Sequence, residues 1–310
     1  MIEHLPPEVA QLWPYEPRWT DVDGYRLHHI DEGPDDGSGR AVVLLHGNPT
    51  WGFVYRDFIP QIVAAGFRVV VPDYLGFGRS DHARPGEDSL HGAYAITEHS
   101  RRLLAQLDAA GVTKAVFFQQ DWGGPVGFGA VLERPDLLAG LALANTFWGV
   151  NSEFQKNALG WRALHAPVSG ALLLGKRRMF VNALKLSGPR SIHEGPAWTA
   201  YTLPFDHHQS PGGTFAFPRS ISTGPGHPTQ PLADRIWEAM PTMDVPTRFV
   251  WGDADAVFTR EEQEAGLRSR LPRAAEHETV VVPGGRHFVQ EYGPDACAAA
   301  VIAVAQEAFA

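Results

Sequence analysis

The stretch KAVFFQQDWGGPVGFGAVLE, residues 114–133, constrains this chain more than any other. A near-continuous apolar run ends in two glutamines, then Asp121 and Trp122. Two glycines follow, then a helix-like segment. Runs that are apolar at consecutive positions suit strands buried on both faces. Gly123 and Gly124 let strand and helix approach closely. Pro125 suits an early helical position, where its missing N–H is harmless. The segment therefore predicts a strand, a one-residue tip and a helix. Turns of this shape usually present a reactive Ser; here the tip is a carboxylate. The helix N-terminus favours an anion and helps keep Asp121 ionised. Asp is also a good helix cap, so this stretch alone leaves Asp121 as nucleophile or cap.

Similar apolar runs recur at RLHHI (26–30), AVVLL (41–45), FRVVVP (67–72), GLALAN (140–145), TRFVWG (247–252) and ETVVVP (278–283). Helical patterns lie between many of them. TEHSRRLLAQLDAAG (97–111) offers Thr97 as a cap and Gly111 as a C-terminal stop. Strands alternating with helices predict an α/β fold with a largely parallel sheet. The segment DVDGYRLHHIDEG (21–33) adds an antiparallel edge. The alternation breaks after Trp148 and resumes at Thr247. Residues 148–238 hold no strand series, are rich in Trp, Phe, Pro, Gly and His, and include the helix-like RRMFVNALKL. This predicts a core domain made of residues 1–147 and 239–310, with residues 148–238 inserted as a helical cap. The cap would cover the C-terminal edge of the sheet, where open α/β sheets bind ligands. Residues 207–231 read as a loop at the edge of that cap.

Bulk properties narrow the partners. A 310-residue chain that is 44% hydrophobic and 20% charged can build one large soluble core. A net charge of −9 disfavours nucleic acid and anionic membrane. The single cysteine, Cys297, cannot form an internal disulfide and reads as a buried inert thiol. The N-terminus has neither a basic region nor an apolar one of the signal-peptide kind. No window approaches the roughly 18 apolar residues of a membrane span. The expected location is the cytoplasm.

Three further stretches supply chemistry. WGDADAVF (251–258) follows a predicted strand and offers Asp253 and Asp255. VVPGGRHFVQE (281–291) follows the last predicted strand and places His287 in a loop. Histidine is the side chain best able to move a proton near neutral pH, and a carboxylate on its other ring nitrogen would fix its tautomer. LLHGNPTWGFVYRDFIP (44–60) is a loop whose backbone N–H groups can face the reaction centre. Its Gly47 and Pro49 make a tight turn, but a turn alone does not call for Asn48. The Asn48 amide and the Trp122 indole N–H together could cradle an anion without adding positive charge.

These residues resemble the α/β-hydrolase superfamily and, within it, the haloalkane dehalogenases. The resemblance runs through HGNPTW, PDYLGFGRSD, QDWGG, AYTLPF, FPRSI and GGRHFVQE. PDYLGFGRSD speaks only for the superfamily, and its Asp73 and Gly76 read as structural. The resemblance implies a mostly parallel eight-stranded sheet flanked by helices, with an inserted helical cap. It makes Asp121 the nucleophile, His287 the base and Asp255 the acid, at the family's usual spacing from Gly252. Some dehalogenases carry a Glu acid after the sixth strand; Asn145 stands there in this chain. Asn48 and Trp122 resemble the halide-binding pair, and the subgroup implied is the one with an Asn–Trp halide site and an Asp acid. Gln119 departs from the pattern, replacing the first Gly of the usual turn.

The chemistry then follows. A carboxylate attacking a carbonyl gives a reactive anhydride, whereas attack on saturated carbon gives a stable alkyl ester. Asp121 would displace halide from sp³ carbon while Asn48 and Trp122 stabilise the leaving charge. His287, oriented by Asp255, would activate water against the ester. The backbone N–H groups of Asn48 and Trp122 would form the oxyanion hole. The expected partners are a small apolar halogenated substrate, water and halide, with no metal or organic cofactor; the protein would act as a monomer or weak homo-oligomer. The pair His207 and His208 lacks the framing of a metal site. Apolar pocket candidates are Phe53, Trp148, Phe217, Pro218, Val257, Phe258 and Val289.

Epoxide hydrolases are the nearest alternative, since they share the Asp nucleophile, the following Trp and the His-Gly-x-Pro loop. They use two cap tyrosines, and residues 148–238 contain only Tyr201. Fluoroacetate-type dehalogenases follow the nucleophile with Arg rather than Trp. Esterases need Ser at the tip. A non-catalytic member of the fold would be expected to have lost part of this set.

Overall fold

The computed structural model describes residues 2–84, 87, 92–150, 179–207 and 213–310. Its frame is an eight-stranded sheet: β1 (Arg18–Val22), β2 (Tyr25–Glu32), β3 (Arg40–Leu45), β4 (Val69–Pro72), β5 (Lys114–Asp121), β6 (Leu138–Thr146), β7 (Thr247–Gly252) and β8 (Val280–Val282). The spatial order is β1-β2-β4-β3-β5-β6-β7-β8. The pairs β1–β2 and β2–β4 are antiparallel, and all later pairs are parallel. The apolar runs fold this way because both faces are covered. On β5, Val116 and Phe118 enter one hydrophobic cluster while Ala115 and Phe117 enter the other. Full burial of such an aromatic contributes about 1.5–3 kcal/mol.

Helices sort onto the two faces. The cluster on one side takes in α2 (Ile59–Ala64), α10 (Val289–Tyr292) and α11 (Pro294–Ala308), together with the short α1 (Pro7–Ala10). The other takes in α3 (Ile96–Ala109), α4 (Gly123–Glu133), α8 (Gln230–Ala239) and α9 (Ala265–Arg270). Cys297 lies on α11 and is fully buried; burial pushes its thiol far above the ordinary value, as suits an inert side chain. Among the described residues no helix is long and apolar enough to cross a membrane.

Between β6 and β7 the described residues form helices: α5 (Met179–Ser187), α6 (Gly195–His207), α7 (Gly213–Arg219) and α8. Their one sheet-like pairing is an isolated bridge between Val150 and Ser222. Two local expectations fail. Thr97 is not a cap: α3 begins at Ile96 after an extended Ala95. The expected loop of residues 207–231 contains α7, whose Phe217 is buried in the core. Gly111 does stop α3, in the left-handed region at φ 67°. The metal alternative at His207 and His208 lies outside the described side chains.

The parallel register brings the strand ends into line. Leu45 pairs with Gln119, Asp121 with Thr146, Ala144 with Val250, and Gly252 with Val282. Asn48, Asp121, Asp255 and His287 all lie at or just beyond these C-terminal ends.

Candidate active site

Asp121 ends β5 with φ 50°, in the left-handed region, which Asp tolerates better than most side chains. Helix α4 starts two residues later, with Trp122 flanking its N-terminus, so Asp121 is not its cap. Close approach explains the glycines. A Cβ on Gly123 would lie 2.3 Å from the Leu45 carbonyl oxygen, and one on Gly124 2.3 Å from that of Phe147. Gln119 fits although it replaces a small residue, because a Cβ on Gly127 would lie only 2.5 Å from its Nε2. The glycine missing from the strand is thus supplied by the helix. The Thr146 hydroxyl donates to the Asp121 carbonyl at 2.7 Å and fixes the tip backbone.

The Asp121 carboxylate is buried. Its Oδ2 accepts the Asn48 backbone N–H at 2.7 Å, and its Oδ1 lies 3.7 Å from His287 Nε2. Gly47 permits this approach, since a Cβ there would fall 2.3 Å from Asp121 Oδ2. The Oδ1 of Asn48 is buried with no hydrogen-bond partner among the described residues. Among the described residues, no donor therefore ties down that oxygen.

His287 occupies the loop after β8. Its Nδ1 donates to Asp255 Oδ2 at 3.2 Å, and its carbonyl accepts from Gln120 Nε2 at 3.0 Å. Burial disfavours the imidazolium, but the carboxylates of Asp255 and Asp121 outweigh it and raise the pKa to about 10. Asp255 is held on both oxygens: Oδ1 accepts the Val257 N–H at 2.7 Å, and Oδ2 accepts Asn145 Nδ2 at 2.7 Å. Asp253, the other acid offered by the sequence, is exposed and accepts the Gly284 N–H instead.

Aromatic rings wall this site. The Trp122 ring lies 4.9 Å from Phe147 and 4.9 Å from Phe217, and Phe147 stacks on Phe258 at 4.4 Å. Phe258 in turn lies 5.3 Å from the His287 ring. Phe147, which the sequence reading passed over, and Phe258 thus join Trp122 to His287, and Phe217 packs on Trp122 as well. Pro218 is buried within α7. Val257 is half-buried beside Asp255, and Val289 is buried two residues past His287. The two remaining pocket candidates pack against other rings. Phe53 stacks on Trp51, meets Tyr201 edge-on and lies under the Arg56 guanidinium. Trp148 packs on Trp237 and over Gly266. Both find their partners in packing seams, because large rings bury most area where other rings already cluster.

Known proteins fit this arrangement. The α/β-hydrolase fold family model matches residues 40–294. Haloalkane dehalogenase 2 of Mycobacterium bovis is 34% identical over 295 residues, which is 94% of this chain and 96% of that protein. The chain belongs to the haloalkane dehalogenase family. A haloalkane dehalogenase of Mycobacterium marinum is 32% identical over 278 residues, 89% of this chain and 88% of the relative. The crystal structure of haloalkane dehalogenase DbeA from Bradyrhizobium elkani superposes with a TM-score of 0.80 at 23% identity, covering 93% of this chain and 96% of that one; at that identity it speaks for the fold.

For this member of the haloalkane dehalogenase family, three features lay beyond the sequence reading. Asn145 was noted only for not being Glu, yet it bonds Asp255. Gln120 was read as part of a strand, yet it holds the His287 loop. Tyr201, on α6, donates to Glu291, whose carboxylate also takes two bonds from Arg56 at 2.6 and 2.8 Å. Only the first had a visible signal, a polar side chain at the end of an apolar strand.

Proposed function

We propose that this chain hydrolyses haloalkanes to alcohol and halide through an alkyl ester on Asp121. The observation that carries this reading is a buried carboxylate at a left-handed strand tip, with its two oxygens shared between the Asn48 N–H and His287. In the first step an Asp121 oxygen forms a bond to sp³ carbon while the carbon–halogen bond breaks. The leaving charge is received by the Asn48 amide and the Trp122 indole N–H, as in an Asn–Trp halide site. In the second step His287 takes a proton from water, and the hydroxide attacks the ester carbonyl carbon of Asp121. The backbone N–H groups of Asn48 and Trp122 take up the oxyanion, and its collapse releases the alcohol.

Electrostatics times the two steps. While Asp121 is a carboxylate, it helps Asp255 hold a proton on His287. Alkylation neutralises Asp121, and the imidazole loses one of the two charges that raise its pKa. The histidine can thereby give up that proton and stand neutral, free to accept one from water once there is an ester to hydrolyse.

On this reading residues 1–147 and 239–310 are the catalytic core, residues 148–238 are the cap, and Phe217, Pro218 and Phe258 face an apolar substrate. The acidic charge and lone buried thiol fit action in the cytoplasm on a neutral small molecule. Epoxide opening shares the triad but needs cap hydroxyls to protonate the leaving oxygen. The one tyrosine of residues 148–238 gives its hydroxyl to Glu291. The test is a panel of chloro-, bromo- and iodoalkanes with styrene oxide as the comparison. Halide release with no diol is expected. Diol formation without halide release would replace the dehalogenase reading with the epoxide one.

A further inference from the structure

Asn145 occupies the end of β6 in an unusual state. It is fully buried, and its φ of 39° lies in the left-handed region, which Asn enters more readily than most residues. Its side chain ties three strand ends together. Oδ1 accepts the Gly252 N–H at 3.0 Å, at the end of β7. Nδ2 donates to Asp255 Oδ2 at 2.7 Å and to the Arg286 carbonyl at 3.3 Å, next to His287. A fold could secure a strand end with backbone bonds alone. A buried amide that spends its donor on the triad acid and on the histidine's own loop goes further.

Resting on the dehalogenase reading, we propose that Asn145 is a positioning residue for the second half-reaction. It holds Asp255 in the plane of the His287 ring, and it does so without charge. The chemistry of the pair explains why an amide is required. Asp255 Oδ2 already takes the His287 proton donor and has room for one more donor. A carboxylate at residue 145 would instead set two negative groups 2.7 Å apart, and they would compete for one proton. Among the described residues, the charged groups around His287 are few. Asp121 faces it from β5 and Asp255 from the loop after β7. Asp253 is turned to Gly284, and the Arg286 guanidinium to the Leu186 carbonyl at the surface. An added charge at residue 145 would therefore act on His287 with little to offset it. The first half-reaction uses Asp121 and the halide donors, none of which Asn145 touches, so its rate should be insulated.

Two variants separate positioning from mere packing. Asn145→Asp is isosteric, tolerates the same backbone and still accepts from Gly252, but it exchanges the donor for a charge. Asn145→Gly keeps the left-handed backbone without strain and removes the amide. Single-turnover experiments with a bromoalkane follow the halide burst and, by intact mass, the decay of the alkyl-enzyme. Asn145→Gly is expected to slow adduct decay about tenfold or more with the pH midpoint in place. Asn145→Asp is expected to slow it as well and to move the pH midpoint of decay up by about one unit. In both, the halide burst should stay within about threefold of the unmodified enzyme. Equal decay rates and midpoints in all three proteins would overturn the proposal. So would parallel losses in burst and decay, because a residue that only supports the fold lowers both. If the unmodified enzyme forms no adduct, it is the dehalogenase reading that fails. The His287 ring nitrogens, titrated by NMR in the resting protein, then still decide. A higher midpoint in Asn145→Asp supports the placement, and an unchanged one overturns it.

Discussion

On the strand-end side of the site, Asp121, Asp255 and His287 are each held by neutral donors: the Asn48 N–H and the Thr146 hydroxyl for the first, the Val257 N–H and the Asn145 amide for the second, the Gln120 amide for the third. On the cap side, Phe217 touches Trp122, Phe77 and His99 only through ring faces and edges. Hydrogen bonds are directional and fix a carboxylate to a few tenths of an ångström. Aromatic packing is tolerant of small rotations and shape changes. The two sides therefore answer different needs. Displacement at saturated carbon and water activation demand fixed angles, whereas binding an apolar chain demands only shape. The cap side also has polar exceptions among the described residues: the Trp51 indole N–H donates to the Ala200 carbonyl of α6 at 3.1 Å, and the Tyr201–Glu291–Arg56 cluster ties α6 to the residues just after the Asn48 and His287 loops.

The largest effects should come from the strand-end side. Asp121→Asn is expected to lower halide release by on the order of 10⁴-fold or more, because no other group can form the ester. His287→Gln should instead leave the first step in place and stop at the alkyl-enzyme, seen as a mass increase. Steady turnover in either variant would break the contrast. Asp121→Asn also removes one of the two charges that raise the His287 pKa to about 10. A raised histidine pKa adds stability that is fully present below the unfolded value of about 6.5 and lost as pH rises through the folded value. That contribution shrinks in the variant, so denaturant melts should show the stability difference between the two proteins constant below the variant's lowered histidine pKa, shrinking from there to about pH 10, and flat above it.

Trp122 belongs to both sides, since its ring is packed like the cap and its N–H is assigned to the halide. Trp122→Phe keeps ring contacts with Phe147 and Phe217 while deleting the donor. Loss of one preorganised donor predicts about a 10²-fold fall in the halide burst, with the melting temperature little changed. A large loss of stability with an unchanged burst would move Trp122 wholly to the packing side.

The same division explains what could be read from the sequence. Strand positions were legible because near-continuous apolar runs in a parallel sheet have few other uses, and the tip of β5 because Asp121 stands between such a run and two glycines. Asp255, His287, Asn48 and Trp122 could be named because each lies just past a strand in a motif of small residues. Asn145 and Gln120 were missed as partners: a buried amide bonds across strands whose spacing no local pattern encodes. The packing partners of Phe53 and Trp148 were not legible for a related reason. An aromatic near a motif can fill the pocket or the seam beside it, and only the packing of Trp51, Tyr201 and Trp237 decides. The helix α7 was hidden because its glycine-rich and proline-rich flanks look like loop.

The smallest predicted effect tests the second of those exceptions. Tyr201→Phe deletes one hydroxyl and leaves the ring edge-on to Phe53, 5.4 Å away. Glu291 stays paired with Arg56, so no charge is orphaned and the fold should survive. A bond to a buried carboxylate contributes about 1.5–3 kcal/mol, which a denaturant melt resolves. The halide burst with a short bromoalkane should change by less than about threefold, because no strand-end bond is touched. Longer haloalkanes should respond more than short ones, since α6 is then held to the core by fewer bonds. A loss as large for the short substrate as that of Trp122→Phe would show that the seating of α6 reaches the reacting atoms. In that case the tie through Glu291, four residues past His287, would belong with the rigid strand-end side.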